Sequence, residues 1–174
     1  MSVVKDPDNA RARDAAFERL VREHQAALLR TCFLCLRDRA AAEDAVQETF
    51  VKAYRSMDSF RGECAERTWL VKIAMNVCRD LRRSAWFRFT DRRVTPEMLP
   101  EASAPCSQQD EELTAAVLRL PVKEREAVLM YYYHGMTTVE ISEALGVAQS
   151  SVSGRLQRAR QKLRDALERG RAHA

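Results

Sequence analysis

Basic side chains crowd one stretch near the C-terminal end of the chain. Arginine and lysine recur there at Arg155, Arg158, Arg160, Lys162 and Arg164. Guanidinium and ammonium groups bind phosphate oxygens, and arginine also hydrogen-bonds to the edge of guanine. The chemistry that this cluster predicts is the binding of a polyanion, above all of DNA.

The residues just before the cluster predict the element that carries it. Thr137 stands three residues before Glu140, the spacing of a capping box at a helix start. Gly146 is expected to end this short helix, and Ser150 to cap a second one. Along the second helix an apolar stripe has helical spacing: Val152, Leu156, Ala159, Leu163, Leu167. This pattern is typical of a helix-turn-helix that reads the DNA major groove. An ordinary helical hairpin would explain the stripe but not the arginines.

Composition restricts the class of protein. The 174 residues are 46% hydrophobic and 31% charged, as in soluble globular proteins, and carry a net charge of +4. Five glycines and five prolines among many Ala, Leu, Arg and Glu favour helices over strands. No apolar run is long enough to cross a membrane and no signal peptide opens the chain, so a cytoplasmic protein without membrane insertion is expected. Its five cysteines are then expected to be reduced.

A zinc or redox site is one interpretation of Cys32 and Cys35. The two form a lone C-x-x-C with His24 upstream, and thiolates and imidazole are good zinc ligands. Small buried cysteines on a helix explain the same pattern more simply. The sequence therefore predicts no metal and no cofactor. A thiol or zinc sensor built on the two cysteines remains an alternative.

The apolar spacing predicts an all-α fold, made of two small helical domains joined by a flexible linker. Residues 1–13 are expected to be a flexible N-terminus, 14–91 a first domain, 92–110 a linker with three prolines and an acidic character, and 111–174 a second domain with the helix-turn-helix. The helix after Pro121 is expected to bury Val122, Ala127, Val128, Met130 and Tyr131.

Two further surfaces stand out in the first domain. On the helix predicted over 40–56, Asp44, Gln47 and Glu48 lie away from the apolar face. On the helix predicted over 65–83, basic residues alternate with an aromatic residue and an amide, which suits single-stranded or distorted DNA. These residues are Trp69, Lys72, Asn76, Arg79, Arg82 and Arg83.

Two long segments, in this order, carry a resemblance to a known family. They read EDAVQETFVKAYRSMDSFRGECAERTWLVKIAMNVCRDLRR and LRLPVKEREAVLMYYYHGMTTVEISEALGV, and GRLQRARQKLRDAL follows. The chain resembles the extracytoplasmic-function (group 4) sigma factors of the sigma-70 family over nearly all its length after residue 14. The resemblance implies a non-catalytic subunit of RNA polymerase that recognises promoters.

The resemblance also implies residue roles. Asp44, Gln47 and Glu48 would dock on core polymerase, and the loop from Phe60 to Arg67 with Asn76 would capture a flipped base of the minus-ten element. Residues for minus-ten DNA would be Phe60, Arg61, Trp69, Lys72, Asn76, Arg79, Arg82 and Arg83. Residues for minus-thirty-five DNA would be Ser150, Ser151, Ser153, Arg155 and Arg158.

Partners and alternatives follow from the same resemblance. Core RNA polymerase, promoter DNA and an anti-sigma factor are the expected partners. A conventional helix-turn-helix repressor or activator, binding alone as a dimer, is the second hypothesis. Where the family commonly has Gly-Thr-Val-Lys-Ser-Arg, this chain has Ser150-Ser151-Val152-Ser153-Gly154-Arg155. The missing lysine and the glycine inside the helix are departures at the minus-thirty-five surface.

Overall fold

The computed structural model describes residues 7–84 and 108–172, and these form helices without a β-strand. The all-α prediction is therefore confirmed for the described part of the chain. The helices are α1 (Pro7–Leu36), α2 (Arg39–Ser56), α3 (Glu66–Arg83), α4 (Gln108–Arg119), α5 (Val122–Val128), α6 (Thr138–Leu145) and α7 (Gln149–Ala172). A 3₁₀ turn follows α2 at Met57–Ser59, and a π-helical turn follows α5 at Leu129–Tyr133.

The N-terminal half is a bundle in which α1, α2 and α3 pack on one another. Its core contains Leu28, Phe33, Val46, Leu70 and Met75, all at most 5% exposed. Asp38 caps α2 by accepting a hydrogen bond of 2.8 Å from the Ala41 amide. Burial of this apolar surface is the main term that stabilises the bundle.

Helix α1 begins earlier than the sequence predicts. Residues 1–13 were expected to be flexible, yet the helix starts at Pro7, a residue well suited to a first turn because it lacks the N–H that the helix cannot use. Arg13 anchors this segment: it donates to the Tyr54 carbonyl at 2.6 Å and pairs with Asp58 at 3.3 Å. The linker predicted over 92–110 lies almost entirely outside the described residues, and 108–110 belong to α4.

The helix-turn-helix forms as its local residues dictate. Thr137 accepts from the Glu140 amide at 3.2 Å, and Glu140 accepts from the Thr137 amide at 2.8 Å, which completes the predicted capping box. Gly146 ends α6 in the left-handed region with φ 63°. Ser150 is not the cap of the next helix, because α7 already begins at Gln149 and the Ser151 amide bonds to the Ala148 carbonyl.

The π-helical turn changes which side chains α5 buries. Leu129 and Met130 are buried, but Tyr131 and Val122, which were expected in the core, are each 38% exposed. Val122 is the first residue of α5 and precedes the π turn. For Tyr131 the cause is the π turn itself, which holds more residues than an α turn and so rotates side chains away from the expected face. The consecutive tyrosines at 131–133 are therefore exposed.

The two halves pack against each other through α3 with α6 and α1 with α5. Arg125, only 3% exposed, joins them: its guanidinium donates to the carbonyls of Leu118 at 2.9 Å and Leu120 at 3.1 Å, and reaches the Cys35 carbonyl at 3.5 Å. Burial lowers the pKa of Arg125 from its usual value. This contact places the C-terminal ends of α1 and α4 beside the start of α5.

Candidate nucleic-acid and polymerase interfaces

An exposed polar face lies on α2, opposite the side that packs in the bundle. Asp44, Gln47 and Glu48 are all exposed, and Val51 beside them is an exposed apolar residue at 41%. Lys52 approaches Glu48 at 3.6 Å, a surface pair of the kind that contributes little to folding. We call Asp44, Gln47 and Glu48 the docking face.

Two aromatic rings stack between the 3₁₀ turn and α3. The rings of Phe60 and Trp69 have centroids 4.5 Å apart and an interplanar angle of 16°. Arg61 is exposed in the loop that follows, where Gly62 adopts φ 72°. The stack fixes the start of this loop beside α3, so that the loop and the helix form one continuous surface.

The predicted minus-ten residues on α3 differ in their surroundings. Asn76 and Arg83 are exposed and Arg79 is half-buried. Lys72 instead pairs with Glu143 of α6 at 3.0 Å, and Arg82 with the buried Glu126 of α5. The structure thus gathers these residues on one helix, but engages two of them with the C-terminal half.

The contact between the halves contains one buried histidine. His134 is 7% exposed, and its Nδ1 accepts a hydrogen bond of 3.0 Å from Arg67 Nε. Its Nε2 lies 2.7 Å from the Thr31 hydroxyl oxygen, and that hydroxyl donates to the Ala27 carbonyl. Because Nδ1 accepts, the ring proton sits on Nε2 and donates to Thr31.

Electrostatics keep this histidine neutral. Burial, with smaller effects from the positive Arg67 and from His24, lowers the pKa of His134 to about 3. Arg67 also donates to the Tyr133 carbonyl, and its guanidinium lies 5.8 Å from the Tyr133 ring centroid. Sequence reasoning missed His134, because nothing local predicts that it meets a residue 67 positions upstream.

Helix α7 presents its first turns to solvent. Ser150, Ser151 and Ser153 are exposed on a helix whose Val152 and Leu156 are buried. Further along α7, Arg155 is half-buried and Arg158 exposed. Gln149 donates to the Thr138 hydroxyl at 2.8 Å and so ties the start of α7 to α6. Together these residues form the polar surface that the sequence predicts for the second helix of a helix-turn-helix.

The C-x-x-C thiols lie in the core of the first bundle. Cys32 and Cys35 are at most 2% exposed, and Cys35 Sγ is 4.0 Å from Met75 Sδ. Hydrogen bonding with Cys78, together with burial, raises the pKa of Cys35 well above its usual value. This opposes the thiolate form that zinc binding and thiol redox chemistry require.

His24 lies beside two carboxylates and not beside the C-x-x-C thiols. Its ring nitrogen and the carboxylates of Glu23 and Glu66 lie within 4.8 Å of one another. Arg19 pairs with both carboxylates, at 3.0 Å to Glu23 and 2.7 Å to Glu66, and lowers the pKa of Glu66. Both carboxylates are thus already paired with a cation of the protein.

Comparison with known proteins decides between the hypotheses. Residues 20–88 match the family described as Sigma-70 region 2, and residues 110–163 match Sigma-70, region 4. The chain is 35% identical over 166 residues to the ECF RNA polymerase sigma factor SigL of Mycobacterium tuberculosis, covering 91% of this chain and 93% of that protein. It belongs to the extracytoplasmic-function sigma factors. This sigma factor thus binds core RNA polymerase and promoter DNA and directs transcription initiation.

Further relatives agree with this assignment. SigW of Bacillus subtilis is 28% identical, with 87% of this sigma factor and 89% of that protein covered. A solved structure of CnrH in complex with the cytosolic domain of CnrY matches with a TM-score of 0.65, 28% identity and coverage of 91% and 94%. RpoE of Bartonella quintana, solved with the anti-sigma factor NepR, shares the fold with a TM-score of 0.70 at 23% identity and coverage of 88% and 97%. None of the helices described in this sigma factor is both long and apolar enough to span a membrane.

Proposed function

We propose that this sigma factor meets its partners through three separate surfaces. The docking face on α2 binds core polymerase, the loop after Phe60 together with α3 binds the minus-ten element, and the start of α7 reads the minus-thirty-five element. The observation that carries the proposal is the exposed polar start of α7, held in place by the capping box and Gly146 of a helix-turn-helix.

The side chains of the docking face have little role in packing, and this supports a role in binding. Asp44, Gln47 and Glu48 are exposed on a helix whose other face fills the core, so their side chains have little packing role. An exposed apolar residue, Val51, adjoins them, and apolar area beside polar groups is common in protein interfaces.

The minus-ten surface combines two kinds of contact. The rings of Phe60 and Trp69 are available to stack on an unpaired base, and the Asn76 amide to hydrogen-bond its edge. Cations suited to phosphate lie in the same loop and along the same helix: Arg61, Lys72, Arg79, Arg82 and Arg83. Lys72 and Arg82 reach DNA only when their pairs with Glu143 and Glu126 are exchanged for phosphate.

The minus-thirty-five surface consists of Ser150, Ser151, Ser153, Arg155 and Arg158. Serine hydroxyls and guanidinium groups suit both phosphate and base-edge contacts in the major groove. To test the role of α7, wild-type holoenzyme should select duplexes from a randomised library, and Arg155→Ala and Arg158→Ala holoenzymes should then be measured on the enriched duplex. We expect each substitution to weaken binding of the holoenzyme to the minus-thirty-five element of that duplex, while affinity for core polymerase is unchanged. If both variants bind the duplex as tightly as the wild type, the assignment is contradicted.

The partner that restrains this sigma factor is proposed to be an anti-sigma factor in the cytoplasm. CnrH, whose structure is similar to that of this chain, is solved with the cytosolic domain of CnrY. Catalysis is not part of the proposed function, since initiation by this family depends on binding. Co-purification with the product of a neighbouring gene, followed by loss of transcription on adding that protein, would test this control.

A further inference from the structure

Glu124 is a buried carboxylate that faces the proposed DNA-reading helix. Its side chain is 8% exposed, in the first turn of α5, and its oxygens lie 3.0 and 2.9 Å from Lys162 Nζ. The same carboxylate lies 3.4 Å from Arg158 Nε. Two cations of α7, one turn apart, thus converge on one buried acid.

Arg158 is tethered at one nitrogen but remains open to solvent. Its side chain is 61% exposed although Nε approaches Glu124. Arginine has five N–H donors in a planar fork, so the terminal nitrogens keep donors for a ligand. This ion pair favours the rotamers that keep the inner nitrogen beside Glu124, and so lowers the entropy lost when DNA binds.

Gly154 explains why Arg158 can take this path. A Cβ added at Gly154 would stand 3.3 Å from Arg158 Nη1, closer than most such contacts. Residues 154 and 158 are one helical turn apart, and long helical side chains lean back towards the preceding turn. The glycine that departs from the family pattern therefore leaves space for the guanidinium to lie along the helix.

We propose that Glu124 is a positioning residue for promoter recognition, which holds Arg158 across Gly154 so that its terminal nitrogens are presented to minus-thirty-five DNA. The inference rests on the proposed role of α7. Glu124 itself touches no DNA and acts only through Arg158. Lys162 donates to both carboxylate oxygens of Glu124 and so places a second cation of α7 beside this buried acid.

The test uses reconstituted holoenzyme and the duplex enriched from a randomised library by the wild type. Affinity is measured for that duplex and for single-base changes across its minus-thirty-five element, with Glu124→Gln, Arg158→Ala and the double variant. We expect Arg158→Ala to lower affinity about tenfold, the value of one good arginine contact. Glu124→Gln should lower it several-fold and flatten preference at the same base positions. The double variant should bind no more weakly than Arg158→Ala alone, because interacting residues are not additive.

Matched variants separate positioning from folding. Asp165→Asn removes a carboxylate from α7, the helix that carries Arg158, and this carboxylate accepts a hydrogen bond from Gln161. The substitution should change neither affinity nor base preference. Gly154→Gln should raise the melting temperature, because glycine is a poor helix former, and yet lower affinity only when Arg158 is present. Opposite changes in stability and binding cannot come from unfolding.

The outcomes are distinct. If Arg158→Ala binds as the wild type does, the proposed minus-thirty-five role of Arg158 fails and the inference falls with it. If Arg158→Ala loses affinity but Glu124→Gln keeps full preference, only the positioning role is overturned. If the effects of Glu124→Gln and Arg158→Ala simply multiply, Glu124 acts on folding rather than through Arg158.

Discussion

His134 accepts a hydrogen bond from Arg67 across the contact between the two halves of the chain, with 3.0 Å between Nδ1 and Nε. Arg67 belongs to the first turn of α3, where the proposed minus-ten loop ends, and His134 follows the π-helical turn of the C-terminal half. We call this packing of the two halves the closed arrangement, and one of its contacts requires a ring nitrogen that remains unprotonated. A protonated His134 would turn an N–H towards the N–H of Arg67.

Acid should weaken the folded, closed chain through His134. The folded pKa is lowered to about 3, whereas an exposed histidine has a pKa of about 6.5, so the unfolded chain binds the extra proton between these values. This contribution is complete above about pH 6.5 and is lost as pH falls towards 3, by at most about 1.4 kcal/mol per pH unit. Urea unfolding at several pH values measures the free energy of unfolding.

His134→Gln is the matched control, because an amide keeps a donor and an acceptor but does not titrate. Subtracting its pH profile removes the contributions of carboxylates such as Glu66 and Glu140, whose pKa values are lowered by hydrogen bonds. Parallel profiles of the wild type and His134→Gln would contradict the prediction.

The docking face should matter for polymerase and not for folding. Replacing Asp44, Gln47 and Glu48 together by Ala should lower affinity for core enzyme sharply, while each exposed change alters stability by about 0.5 kcal/mol or less. Titration against labelled core polymerase measures the affinity. Glu18→Ala, an exposed acidic change on α1, is the control, and a triple variant that binds as tightly as this control would remove the assignment.

Asn76 should act on base preference. Asn76→Ala should flatten preference at one minus-ten position by about 1–3 kcal/mol if the amide makes a bidentate contact, and leave core binding intact. Arg83→Ala is the comparison, because a phosphate contact weakens all sequences alike and lowers the salt slope by about one. In vitro transcription on single-base minus-ten variants distinguishes the two. If Asn76→Ala lowers transcription equally on every minus-ten variant, Asn76 supports the structure of the loop and does not read a base.

Two ion pairs join the described parts of the halves, and they should contribute unequally. Glu126 is buried with Arg82, whereas Glu143 is 61% exposed beside Lys72. Glu126→Gln should therefore weaken the closed arrangement by about 1–3 kcal/mol, and Glu143→Gln by less than about 1 kcal/mol. Energy transfer between dyes placed on α2 and α7 reports separation of the halves. Equal effects of the two substitutions would show that burial does not decide the strength of these pairs.

Local signals were sufficient to predict part of this molecule. The capping box of Thr137 and Glu140 and the turn at Gly146 depend only on neighbours in sequence, and both form as predicted. The exposure of Tyr131 was not predictable, because a π turn shifts the helical register without a sequence signal of its own. The start of α1 at Pro7 depends on Arg13 meeting residues of α2, which no local pattern reveals.

The surfaces were predicted more completely than their pairings. Asn76 and the serines of α7 are exposed, as their positions between buried residues imply. The pair of Arg82 with Glu126 joins residues 44 positions apart and needs the packing of the halves to exist. Nothing in the sequence singles out Glu124, because its two contacts are with Arg158 and Lys162 of α7.

Three consecutive charged residues at the start of α5 have a consequence for engineering. Glu124 contacts α7, Arg125 contacts the ends of α1 and α4, and Glu126 contacts α3. An insertion or deletion of one residue in this helix would shift the helical register, so that none of the three side chains would face its partner. A hybrid sigma factor that takes its C-terminal half from a relative should therefore also take that relative's residue at position 82, because this residue pairs with position 126 of α5. Hybrids in which positions 82 and 126 come from different proteins and do not match should assemble poorly.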